Sequence, residues 1–85
     1  MITPQNVLRH ELIGLYASVE KSCNLFEKDV FGLIVDETRN TVSLNTPNGV
    51  KIFEKHGRVF RVIIPDGTVV RIDGDALVYR SKRRK

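Results

Sequence analysis

The sequence predicts a mainly β domain: a small antiparallel barrel of about six short strands, with a short N-terminal helix and a basic C-terminal tail. Three observations carry this. Apolar residues alternate with polar ones over much of the chain, the pattern of strands with one buried face. Turn-forming clusters at Asn45–Gly49, His56-Gly57 and Pro65–Thr68 interrupt the alternation at close spacing, which is hairpin punctuation. With 85 residues the chain makes one domain, and closing the sheet is the simplest way to remove exposed edges from so small a fold.

Thr3-Pro4 opens with an N-cap residue and a proline at the first helical position, so a helix is expected over about 4–12, with Leu8 and Leu12 one turn apart and Gly14 ending it. From Ile13 to Glu20 the period becomes two, placing Ile13, Leu15, Ala17 and Val19 on one face and Tyr16, Ser18 and Glu20 on a wet one. Lys21 to Asp29 has no period and reads as a loop carrying Leu25 and Phe26 as a flap over one end of the core. Gly32 to Leu44 is a hairpin with its turn at Asp36–Asn40, where Asn40 is the expected left-handed residue and Arg39 the exposed one. Asn48-Gly49 signals a second hairpin into Val50 and Ile52. Val59 to Ile64 is the most apolar strand, with Phe60, Val62 and Ile64 on one face; Val69, Val70 and Ile72 form the last regular one. Asp73-Gly74-Asp75 is expected to end it, and Leu77-Val78-Tyr79 to add a short strand or turn. Residues 1–79 form the domain and 80–85 a tail expected to lack fixed structure. The leading helix and a strongly bent second strand favour an Sm-like or SH3-like barrel over an OB barrel.

The net charge of +4 is unevenly placed. Arg80, Lys82, Arg83, Arg84 and Lys85 supply five of fourteen basic residues, and residues 1–79 alone carry a net charge of −1. A basic tail marks contact with nucleic acid or another polyanion, and charge alone leaves a solubilising role equally open. No run is long and apolar enough to span a bilayer, so no membrane contact is expected. The start lacks a secretory pattern and Cys23 has no disulfide partner in the chain; a cytoplasmic location is expected.

Catalytic constellations are poorly supported. Neighbouring strand residues face opposite ways, so Asp36 and Glu37 do not form an acid–base pair; one accepts a backbone N–H or pairs with Arg39. Asp73-Gly74-Asp75 lacks the other ligands of a calcium loop. His10, Cys23 and His56 lack zinc-site spacing, so no metal, cofactor or small-molecule substrate is expected. The basic residues Arg39, Lys55, Arg58, Arg61 and Arg71 fall on loops or outward strand positions. One by one they read as ordinary surface; together with the tail they point to RNA, which arginine contacts through phosphate or a splayed base.

At this point a resemblance enters. Leu8-Arg9-His10-Glu11-Leu12-Ile13-Gly14, then Gly32 to Thr41 with Val35-Asp36-Glu37-Thr38-Arg39-Asn40-Thr41, then Val59-Phe60-Arg61 before Pro65, then Ile72-Asp73-Gly74 before Leu77, resemble the archaeal ribonuclease P protein component 1 family. The resemblance covers nearly the whole chain in order. It implies an Sm-like barrel without an active site of its own, a protein subunit of the RNA-based endoribonuclease that removes the 5′ leader from precursor tRNA. It also implies a zinc-ribbon protein partner and contact with the specificity domain of the ribonuclease P RNA, precursor tRNA being touched only indirectly. On this basis Arg39, Asn40, Lys55, Arg58, Arg61, Arg80, Lys82, Arg83, Arg84 and Lys85 are candidate RNA contacts, and Leu8, His10, Leu12 and Leu15 candidate protein-partner contacts. A protein-docking barrel without RNA contact and an Sm-type or ribosomal RNA-binding protein are the alternatives.

Overall fold

Period-two alternation gives the strands their inner faces, and six of them form: β1 (Tyr16–Lys21), β2 (Phe31–Glu37), β3 (Thr41–Thr46), β4 (Gly49–Glu54), β5 (Val59–Ile63) and β6 (Val69–Asp73), followed by helix α1 (Gly74–Arg83). The structure, a computed structural model, describes residues 2, 7 and 11–83, with side chains up to Tyr79. All strand pairs are antiparallel, in the order β4-β3-β2-β1-β5-β6. Ala17, Val19, Ile34, Val42, Leu44, Phe53, Phe60, Val62 and Ile72 turn inward from all six strands into one core.

The expectation of a closed barrel is corrected: β4 and β6 remain the edges of an open sheet. Other segments cover the core instead. Val7, Leu12 and Leu77 are buried in the same cluster as the strand residues, so apolar area that closure would have hidden is hidden by the chain ends.

The ends differ from expectation in a second way. Glu11 and Leu12 lie outside any helix, and Leu12 N-terminally brackets a turn in which Leu15 N–H donates to Leu12 O at 3.1 Å, with Gly14 at φ 97°. Most of the segment expected to be helical, including Leu8 and His10, lies outside the described residues. At the other end, Leu77-Val78-Tyr79 is helical rather than a strand. Asp73 acts as the N-cap, its Oδ1 accepting the Asp75 N–H at 2.9 Å, and Asp75 places a negative charge in the first turn. The helix runs through Arg80, Lys82 and Arg83, correcting the picture of a structureless tail; Arg84 and Lys85 lie outside the described residues.

The loop after β1 is also ordered differently. Leu25–Glu27 form a 3₁₀ helix capped by Asn24, whose side chain accepts the Phe26 N–H, and Asp29 takes the left-handed conformation at φ 66°. Leu25 and Phe26 point away from the core, 83% and 95% exposed, so they do not cover it.

Candidate nucleic-acid interface

A bulge decides which carboxylate of Asp36-Glu37 faces the interior. The β2–β3 register slips between Ile34 and Asp36, so Val35 and Asp36 both face solvent, and Glu37 turns inward opposite the buried Val42. Asp36 accepts the Glu37 N–H at 2.9 Å. On the neighbouring β4 the alternation that buries Phe53 continues to Lys55, whose side chain is fully buried. Its ammonium lies 2.9 Å from Glu37 Oε2 and donates to the carbonyls of Thr38 at 2.7 Å and Arg39 at 3.2 Å. An ammonium has three N–H donors, so it can serve all three of these acceptors at once.

The turn between β2 and β3 is thereby fixed from below. Thr38 N–H donates to Thr41 O at 2.9 Å, Thr41 N–H donates to Thr38 Oγ1 at 3.1 Å, and Lys55 N–H donates to Asn40 O at 2.8 Å. With these bonds the turn closes without a left-handed Asn40, which corrects that expectation: Asp29 is the non-glycine residue with positive φ among the described residues. Arg39 and Asn40 then present their side chains to solvent, and among the described residues Arg39 joins no ion pair. Glu37 is paired with Lys55 and not with Arg39.

Two further candidates are engaged inside the protein, and the burial of Lys55 corrects its reading as a surface contact. Lys55 is a buried strut and not a surface contact. Arg58 is half-buried: its Nε and Nη2 donate to Glu27 at 2.7 and 3.1 Å, and its Nη1 to the carbonyls of Glu54 at 3.3 Å and His56 at 3.4 Å. It clamps the loop after β1 to the turn after β4. The clamp shows in its charges. Hydrogen bonds from Arg58, helped by the Ser22 hydroxyl, hold the Glu27 carboxyl below the usual glutamate range, and Glu27 in turn raises Arg58. Arg61 lies directly opposite Arg71 on β6, an unfavourable pairing of like charges that Glu20 neutralises by binding both. The Glu20 carboxyl is lowered, chiefly by its hydrogen bond from Arg61. Arg61 stays exposed but is paired.

The helix brings a second element to the same corner. Gly74 N–H donates to Arg58 O at 2.7 Å, and a Cβ on Gly74 would sit 1.7 Å from Lys55 O, so only glycine lets α1 start there. Asp75 Oδ1 is then 2.8 Å from His56 Nδ1 and accepts the Gly57 N–H at 3.2 Å. Asn40, Thr41, Glu54, His56, Asp75 and Val78 line a groove of about 520 Å³ between the hairpin tip and the helix. Sequence reasoning left His56 and Asp75 as turn residues. The missed signal is the Asp73 cap with Asp75 in the first turn and basic residues at the far end, a helix start-and-stop pattern.

The expected partner contacts divide. Leu12 is core, Leu15 is half-buried against it, and Leu8 and His10 lie outside the described residues. The exposed apolar surface lies elsewhere. Cross-strand register aligns Val50, Asn45, Leu33, Tyr16, Ile63 and Val69 in one row across the outer face of the sheet. Phe31 stacks on Tyr16 with ring centroids 5.5 Å apart, and Tyr16, Val50 and Val69 are each at least half exposed. Such rows mark interaction surfaces more often than ordinary ones.

Comparison with known proteins agrees on one family. The family model described as ribonuclease P/MRP, subunit p29, matches residues 5–85. Ribonuclease P protein component 1 of Thermofilum pendens is 48% identical, covering 98% of this chain and 89% of its own, and that of Methanothermobacter thermautotrophicus is 44% identical, covering 99% and 91%. A solved structure of a homologue of the human RNase P protein Rpp29 superimposes with a TM-score of 0.62 at 41% identity, covering 82% of this chain and 91% of that one. A match of this extent identifies the chain as a member of the ribonuclease P/MRP subunit p29 family.

Proposed function

We propose that the chain is an RNA-binding protein subunit of ribonuclease P that supports a catalytic RNA in removing the 5′ leader of precursor tRNA and supplies no active site of its own. One observation carries the reading beyond the family. Glu37, Thr38 and Lys55 commit their polar groups to fixing the β2–β3 turn, and the side chains left outside are an arginine without an ion pair among the described residues and an asparagine. A rigid turn displaying Arg39 beside a helix whose sequence ends in basic residues suits a phosphate backbone, with the specificity domain of the ribonuclease P RNA as the ligand the family implies. Asp36 and Glu37 face opposite sides of β2 and are engaged with backbone and Lys55 respectively, which supports a non-catalytic role.

The outer apolar row is the surface for the zinc-ribbon protein subunit. Leu12, by contrast, is buried in the core. Binding of the intact chain and of one ending at Tyr79 to ribonuclease P RNA, compared at low and high salt, tests the RNA reading. Loss of affinity and a shallower salt slope on truncation are expected, because each neutralised phosphate releases counterions. Salt-independent binding, or none, contradicts it.

A further inference from the structure

We propose that the groove between the hairpin tip and α1 holds a single unpaired guanine of the bound RNA; the inference rests on the RNA-binding reading above. The groove's chemistry argues for a base and against a phosphate. Two of the six described lining side chains, Glu54 and Asp75, are carboxylates, which repel an anion but accept hydrogen bonds from base donors. Asp75 holds His56 and the Gly57 N–H with Oδ1. The Glu54 carboxylate makes no hydrogen bond or ion pair with any described residue; its charge acts on Arg58 only at longer range, and its backbone carbonyl accepts from Arg58 Nη1.

Among the bases, guanine alone carries two adjacent donors, N1–H and N2–H, on one edge, and a carboxylate accepts such a pair through both oxygens. Adenine and cytosine offer a single exocyclic amino group, and uracil a single N–H. Asn40 supplies an amide N–H for the guanine O6, and the His56 ring and Val78 supply faces for the flat base. Asp75, in the first turn of α1, holds the exposed His56 ring beside the groove through the Oδ1–Nδ1 contact at 2.8 Å. The volume of about 520 Å³ is enough for one base. Arg39, on the turn that bears Asn40, is placed for the adjoining phosphate.

The test compares three short oligoribonucleotides at low ionic strength, titrated into the full chain: oligouridylate, the same oligomer with one central guanosine, and the same with inosine. Guanosine is expected to bind about tenfold more tightly than uridine, and inosine, which lacks the N2 amino group, to lose most of that gain. Glu54→Gln, which keeps shape but replaces one acceptor by a donor, should abolish the guanosine preference while circular dichroism stays native. Amide shifts from the guanosine oligomer should centre on Asn40, His56 and Val78. Equal affinity for guanosine and uridine oligomers, or shifts at this groove produced by the zinc-ribbon subunit and by no RNA, overturns the guanine site while leaving RNA binding standing. Failure of all three oligomers and of ribonuclease P RNA to bind defeats the underlying reading instead.

Discussion

Lys55 Nζ lies 2.9 Å from Glu37 Oε2 with the lysine side chain fully buried and the glutamate side chain 7% exposed, so the hairpin that displays Arg39 is held from inside the core by an ion pair. Burying two charges costs several kcal/mol in desolvation, which only good geometry and further hydrogen bonds offset; the carbonyls of Thr38 and Arg39 supply those bonds. The pair therefore fixes conformation more than it adds stability.

Removing one member leaves the other charged and buried. Lys55→Met is expected to destabilise the fold by about 3–5 kcal/mol, and the double variant Lys55→Met/Glu37→Leu to regain a large part of that loss. Urea denaturation of the two variants measures both. A single variant within about 0.5 kcal/mol of wild type would mean that the ammonium is no strut.

The Gly74 backbone packs against Lys55 O, where a methyl group has no room. Gly74→Ala is expected to cost more than about 4 kcal/mol, the range reached by severe backbone or core conflicts. Gly67→Ala is a useful control: its Cβ meets nothing within 4 Å, and only its φ of 92° opposes the change. Thermal melts should rank Gly74→Ala as far the more damaging of the two.

Acid should loosen the clamp between the loop after β1 and the turn after β4. Arg58 holds the Glu27 carboxyl below its ordinary value, so folding favours the ionised form. That contribution is fully present above the ordinary glutamate value of 4.5 and is lost as pH falls through the lowered folded value. Arg58→Met should flatten the acid limb of the stability curve, by about 1 kcal/mol for a pair this close to the surface. An acid limb as steep in the variant as in wild type would deny the clamp that role.

Much of this was legible in the sequence, and the exceptions have physical causes. Alternation correctly placed Ala17, Val19, Phe60, Val62 and Ile64 on inner faces. It could not place Glu37, because a bulge at Val35 shifts the phase by one residue and nothing in the local composition announces it. Lys55 was taken for a surface contact on its charge, although continuing the β4 alternation from Phe53 already pointed inward. Helix α1 was hidden because its apolar residues form one short run, Ala76 to Tyr79, without helical spacing, and its basic end reads as a tail. Turn chemistry misled at Asn40, since Thr38 and Thr41 close the turn by hydroxyl bonds that make a left-handed residue unnecessary.

The outer row offers a protein partner an apolar surface centred on the stacked Tyr16 and Phe31. Tyr16→Glu leaves the core untouched, its side chain being half exposed, and should weaken the complex with a zinc-ribbon ribonuclease P subunit at least tenfold, as loss of a central aromatic anchor does. Calorimetric titration of the two proteins reads this, and an unchanged affinity would move the partner to another face.

The central claim is that the buried Lys55–Glu37 pair holds the turn so that Arg39 meets RNA. Its most direct measurement is the affinity of Arg39→Ala for ribonuclease P RNA across a salt series, with wild-type melting as the check on folding. The account predicts about tenfold weaker binding at low salt and a log–log salt slope shallower by about one counterion. A natively folded Arg39→Ala protein with the affinity and salt slope of wild type would contradict it.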